Sequence, residues 1–127
     1  MTLLDTHALV WWANGMPALS ARARRALRGA ALAASAISAF EIATAVRRGR
    51  LDLGVPLDRW FADLAMLPEL RLQPVTDEIA RIAGSFDRSV PGDPADRIIA
   101  ATAIALGAKL VTADARLRRV PQLQTVW

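Results

Sequence analysis

Cysteine is absent from this 127-residue chain, which excludes disulfide-stapled scaffolds, thiolate zinc sites and iron–sulfur ligation. A reducing cytoplasm is the compartment that this absence implies. Histidine occurs once, at His7, too few for the usual zinc site, so a packing or supporting place is expected of it. The segment Met1-Thr2-Leu3-Leu4-Asp5 has no basic residue ahead of an apolar run and no small-residue cleavage signal, so no secretory leader is expected. Also missing is a strongly hydrophobic run suited to a membrane, although one stretch is about long enough to span a bilayer. The most apolar stretch, Gly29 to Val46, is rich in alanine and carries Glu41, Ser35, Ser38 and Thr44, which argues for a buried segment and against a membrane-inserted one.

What remains is 54% apolar and 22% charged, a balance suited to one globular domain over residues 1–127. Lysine occurs only at Lys109, so the basic residues are almost all arginine, and they are unevenly placed. Residues 1–50 hold seven arginines against Asp5 and Glu41, while the rest of the chain is close to neutral. An arginine-rich half points to an anionic partner, nucleic acid or an acidic protein segment.

The pattern of apolar runs and stop signals predicts alternating strands and helices. Thr2 to Asp5 reads as a strand feeding a helix that starts at Thr6. Ser20 can cap a helix over Ala21 to Arg28, with Gly29 as its stop. Leu32 to Ser35 is a second strand, and Ser38 with Glu41 has capping-box spacing at the start of a helix running to about Arg48. Further helices are expected after Pro56, after Thr76 and after Asp93-Pro94, the last ending at Gly107. Strands are expected at Leu70 to Gln73, Lys109 to Thr112 and Gln124 to Trp127. Such alternation argues for a central parallel sheet of four to five strands in a three-layer α/β/α domain.

In open parallel sheets, ligands bind beyond the carboxyl ends of the strands. Asp5, Glu41, Asp93, Asp96 and Asp114 all map to that end. Singly, each has a local explanation: Asp5, Asp93 and Asp114 as caps, Glu41 as the partner of Ser38, Asp96 at a positive helix end. Asp93 is also spaced to pair with Arg97 one turn on. Jointly, converging carboxylates repel one another unless a cation neutralises them, and an all-oxygen donor set suits Mg²⁺ or Mn²⁺.

Four blocks carry a resemblance: Leu3-Leu4-Asp5-Thr6-His7, Ser35 to Ala43, Gly92 to Ala103 and Leu110 to Asp114. Together they resemble a PIN domain, specifically the VapC-type ribonuclease toxins of bacterial toxin–antitoxin pairs. The resemblance implies a Mg²⁺- or Mn²⁺-dependent endoribonuclease whose acidic quartet falls on Asp5, Glu41, Asp96 and Asp114. Asp5 and Asp96 are then the direct metal ligands, with Asp114 binding directly or through water, and Asp93 and Thr112 supporting. It also implies an RNA substrate, a small antitoxin partner whose C-terminal segment lies across the groove, and a homodimer. Arg22, Arg25, Arg47 and Arg48 are candidate RNA contacts, and the neighbours of Arg97 place it beside the acids. Many relatives carry a histidine shortly before the Asp-Pro pair, where this chain has Pro91-Gly92, and Ala95 stands where phenylalanine is frequent.

The competing reading is a catalytically silent PIN-like module that binds RNA or protein, against which the complete acidic set speaks. An aspartyl phosphatase needs a second acid two residues after Asp5, where this chain has His7. A receiver domain needs a lysine ending a strand, whereas Lys109 begins one. Trp11, Trp12, Trp60 and Trp127 are expected in the core or in a subunit contact.

Overall fold

The computed structural model describes all 127 residues, as five strands and seven helices. In chain order they are β1 (Thr2–Leu4), α1 (Thr6–Ala13), α2 (Ala21–Leu27), β2 (Leu32–Ser35), α3 (Ala36–Arg47), α4 (Leu57–Ala65), β3 (Leu70–Gln73), α5 (Asp77–Ser85), α6 (Pro94–Leu106), β4 (Lys109–Val111), α7 (Ala115–Arg118) and β5 (Thr125–Val126). The strands form one parallel sheet in the order β3-β2-β1-β4-β5.

The central strands are buried on both faces, and their alternating side chains feed two cores. Leu4, Leu32, Ala34 and Val111 meet Leu9, Leu27, Trp60 and Leu64 from α1, α2 and α4 on one side. Leu3, Ala33 and Leu110 meet Ile99, Ala100 and Ala103 of α6 and Leu117 of α7 on the other. Cross-strand register keeps these sets apart, pairing Leu3 with Ala33 and Leu110, and Leu4 with Ala34 and Val111. α5 packs outside α6 through Ile79 and Ala83 against Ala101. The tryptophans belong to the first core. Trp60 is buried and donates its indole N–H to Asn14 Oδ1 at 2.9 Å, while Trp11 and Trp127 stand 5.6 Å apart. No helix is long and apolar enough to cross a membrane.

Two local expectations are corrected. α3 opens at Ala36 with Ser35 as its cap, so Ser38 is inside the helix and makes no capping box with Glu41. Asp114 does cap a helix, but that short helix, α7, was not itself expected after β4.

The topology itself makes a crevice. The chain leaves β1 to build β2 and β3 on one side, then places β4 and β5 on the other. At the carboxyl ends of β1 and β4 the loops therefore part in opposite directions, and this is where open α/β sheets bind ligands.

Candidate active site

Asp5 leaves β1 at that crevice and caps α1, its Oδ1 accepting the Thr6 N–H at 2.6 Å. Its Oδ2 accepts the hydroxyl of Thr112, the residue after β4, also at 2.6 Å. Asp5 is only 6% exposed, so these charge-assisted bonds hold a buried anion in one orientation. Thr112 Oγ1 in turn accepts the Asp114 N–H at 3.0 Å, tying the loops after β1 and β4 together.

Glu41 projects from α3 toward Thr6, whose hydroxyl donates to Oε1 at 2.5 Å. Ser38 lies 2.8 Å from the same hydroxyl. With its one proton committed to Glu41, Thr6 accepts from Ser38, giving a buried relay from Ser38 through Thr6 to Glu41. The three-residue spacing of Ser38 and Glu41 thus marks one helical face turned to α1, not a cap. Burial raises the Glu41 pKa above the ordinary value, with the charges of Asp5 and Asp93 adding to it and the Thr6 bond opposing it.

Asp93 caps α6, accepting from the N–H groups of Ala95 and Asp96 at 2.8 and 3.2 Å. Asp96, in the first turn, is pushed up to a pKa of about 6, first by burial and then by Asp93, Asp5 and Asp114. Acids distant in sequence are thus near enough for their charges to act on Asp96. Arg116 opposes them, its Nη2 standing 3.3 Å from Asp96 Oδ2 and 3.1 Å from Asp114 Oδ2. Asp114 is raised by its partial burial but lowered further by hydrogen bonds from the Arg116 side chain and backbone, and ends below the ordinary value.

All five expected acids thereby fall in one continuous network. Glu41 joins Asp5 through Thr6, Asp5 joins Asp114 through Thr112, Asp114 joins Asp96 through Arg116, and the Asp96 backbone joins Asp93. No three of the carboxylates stand close enough to enclose an ion by themselves. The donor set is nonetheless all oxygen and charge-crowded, which suits a hard divalent cation held by one or two carboxylates and completed by water.

The arginines divide. Arg47 and Arg48, with Arg50, line a groove of about 450 Å³ that also holds Glu41, Asp93 and the exposed Phe40. Arg22 and Arg25 are exposed on α2 and line no part of that groove. Arg97 is a correction. It makes no ion pair with Asp93; its guanidinium donates to the carbonyls of Ala83, Phe86 and Val90 at 2.9, 2.5 and 3.5 Å and packs over the Phe86 ring. Its reach carried it to the unpaired carbonyls that end α5, and it serves there as a clamp between α5 and α6. His7 is exposed, 5.7 Å from the Trp11 ring, and its field lowers the Glu41 pKa slightly.

Thr6, Ser38 and Arg116 lie outside the site residues expected from sequence, where Thr6 and Ser38 read only as helix-start and capping residues. Arg116 had a local signal: it follows Asp114 by two residues, the spacing at which a capping carboxylate meets the side chain of its own first turn.

A sequence profile of the PIN domain matches residues 2–123. The chain is 43% identical over 128 aligned positions to the ribonuclease VapC22 of Mycobacterium tuberculosis, covering 98% of this chain and 97% of that protein. Among solved structures it resembles a chain of VapBC2 from Rickettsia felis, crystallised with a DNA fragment from its promoter, at a TM-score of 0.68 and 21% identity, covering 98% and 96% of the two chains. A chain from the FitAcB structure of Neisseria gonorrhoeae matches at a TM-score of 0.67 and 23% identity, over 98% and 96%.

Proposed function

The chain belongs to the PIN-domain family, and from that premise we propose how its residues act as a VapC-type ribonuclease toxin of a toxin–antitoxin pair. The observation that carries the reading is the single hydrogen-bonded network that gathers Asp5, Glu41, Asp96 and Asp114 at the switch point of the sheet. Mutual repulsion of these acids is a cost to the fold, and a silent binding module has no use for it.

Asp5 and Asp96 would hold a Mg²⁺ or Mn²⁺ ion, with Asp114 binding it directly or through water. When bound, such an ion supplies a more acidic water and polarises the phosphoryl oxygen. Glu41 takes the proton from the attacking water. Its raised pKa makes it a stronger base than an ordinary carboxylate, and the Thr6 hydroxyl fixes which oxygen faces the reaction. Thr112 keeps Asp5 in place. Arg47, Arg48 and Arg50 line the groove beside Glu41 and Asp93 and offset the local repulsion of an RNA backbone.

The antitoxin partner follows from the family reading. The same groove, with its arginines and the exposed Phe40, offers an acidic segment with an apolar anchor both charge and packing, and there the antitoxin would cover the site. Homodimerisation is part of the same proposal.

Purified protein and an RNA substrate provide the test. Cleavage is expected with Mg²⁺ or Mn²⁺, loss of it in excess EDTA, and no cleavage by Asp96→Asn. Full activity in EDTA overturns the metal role. RNA binding without cleavage under any metal favours the silent module.

A further inference from the structure

We propose that Arg116 binds the backbone phosphate at the reacting position, held ready for it by Asp114 and Asp96. The inference rests on the ribonuclease reading above and adds a substrate contact to it. Arg116 is the only basic side chain ion-paired with the acidic group; the other ion pairs, Arg59 with Asp63 and Arg81 with Asp77, lie on exposed faces of α4 and α5.

Its donors are only partly used. Nε stands 3.4 Å from Asp114 Oδ1, and Nη2 reaches Asp114 Oδ2 and Asp96 Oδ2, while Nη1 has no partner within the protein. Two of the five guanidinium N–H groups therefore remain free. The side chain is 63% exposed, so its ion pairs add little to stability. Yet its own backbone N–H is bound to Asp114 Oδ1 at 2.8 Å, so the residue is fixed at both ends. A guanidinium immobilised beside carboxylates with an open edge matches what a phosphate requires: planar paired donors, positive charge where the acids otherwise repel, and little further loss of freedom on binding. Arg47, Arg48 and Arg50 make no bond to the acids and suit flanking phosphates instead.

The test measures binding of a single-stranded RNA oligonucleotide by fluorescence anisotropy, in a Glu41→Gln background that blocks cleavage, with Mg²⁺ present. Arg116→Ala is expected to weaken binding about tenfold and to reduce the slope of log affinity against log salt by about 0.7, the value for one lost phosphate contact on a single strand. Arg116→Lys should restore most of the slope, since the charge remains, but only part of the affinity, since the fork is gone. An unchanged slope in Arg116→Ala overturns the proposal. So does loss of the Mn²⁺-induced rise in melting temperature, which would make Arg116 a positioner of the carboxylates only. Absence of RNA binding with Arg116 intact would instead count against the ribonuclease reading itself, and the proposal would fall with it.

Discussion

Replacing Asp96 by asparagine is expected to stabilise the metal-free protein at neutral pH even as it removes activity. The Asp96 carboxyl titrates at about 6 in the folded chain against an ordinary 3.8, first because it is buried and then because Asp93, Asp5 and Asp114 surround it. A carboxyl whose folded pKa is raised prefers to be protonated in the fold. Its favourable contribution is therefore complete below pH 3.8 and is lost as pH rises through 6. The difference corresponds to at most about 3 kcal/mol at pH 7.5, and to roughly 1–2 kcal/mol after screening by solvent around the exposed Arg116. Asparagine keeps an acceptor for Arg116 and carries no charge, so Asp96→Asn should melt roughly 4–8 °C above the wild type in EDTA at pH 7.5. The gap should close near pH 4. Saturating Mn²⁺ should raise the wild type by mass action and leave the variant unmoved, reversing their order. Thermal unfolding by circular dichroism across pH, with EDTA or Mn²⁺, gives every arm. Equal melting temperatures in EDTA at pH 7.5, or a gap that persists at pH 4, would refute the reasoning.

Thr6→Val removes the hydroxyl that lowers the Glu41 pKa and keeps its shape, so the acid limb of the pH–rate profile should move to higher pH, with the largest loss of cleavage on the acid side of the profile. A profile that falls in amplitude without shifting would show that Glu41 is not the base. Arg97→Met strips three carbonyls of their donor and should cost about 2–3 kcal/mol of stability in a urea titration, with the salt dependence of RNA binding unchanged. A reduced salt slope would return Arg97 to the substrate.

The strands and most helix starts were legible because their signals are local. Leu32–Ser35 and Leu70–Gln73 stand where the apolar runs placed them, and Ser20, Thr76 and Asp93 cap the helices that follow them. The gathering of acids was legible through strand-end logic and the resemblance together. What escaped is what depends on reach or on one spacing serving two purposes. Ser38 and Glu41 have capping-box spacing, which is also the spacing of neighbours on one helical face, and only the packing of α1 against α3 decides between them. Arg97 sits one turn from Asp93, but a flexible guanidinium follows the strongest acceptors within several ångströms, here the carbonyls around the end of α5. The Thr112–Asp5 bond joins residues 107 apart, and sequence spacing carries no trace of it.

The capping and catalytic readings of these acids are not alternatives. Asp5, Asp93 and Asp114 each cap a helix, and all three helices begin at the same end of the sheet. Backbone N–H groups and the positive ends of the helix dipoles therefore face the cluster and offset part of its repulsion before any cation arrives. Glu41 and Asp96 are the exceptions: Glu41 accepts only the Thr6 hydroxyl, while the Asp96 carboxylate accepts no backbone N–H and meets only Arg116. Asp96 is also the acid whose pKa rises furthest, to about 6. The fold thus stabilises three of the acids by capping and leaves the demand for positive charge concentrated on Asp96, where a divalent ion and a substrate-seeking arginine both have reason to go.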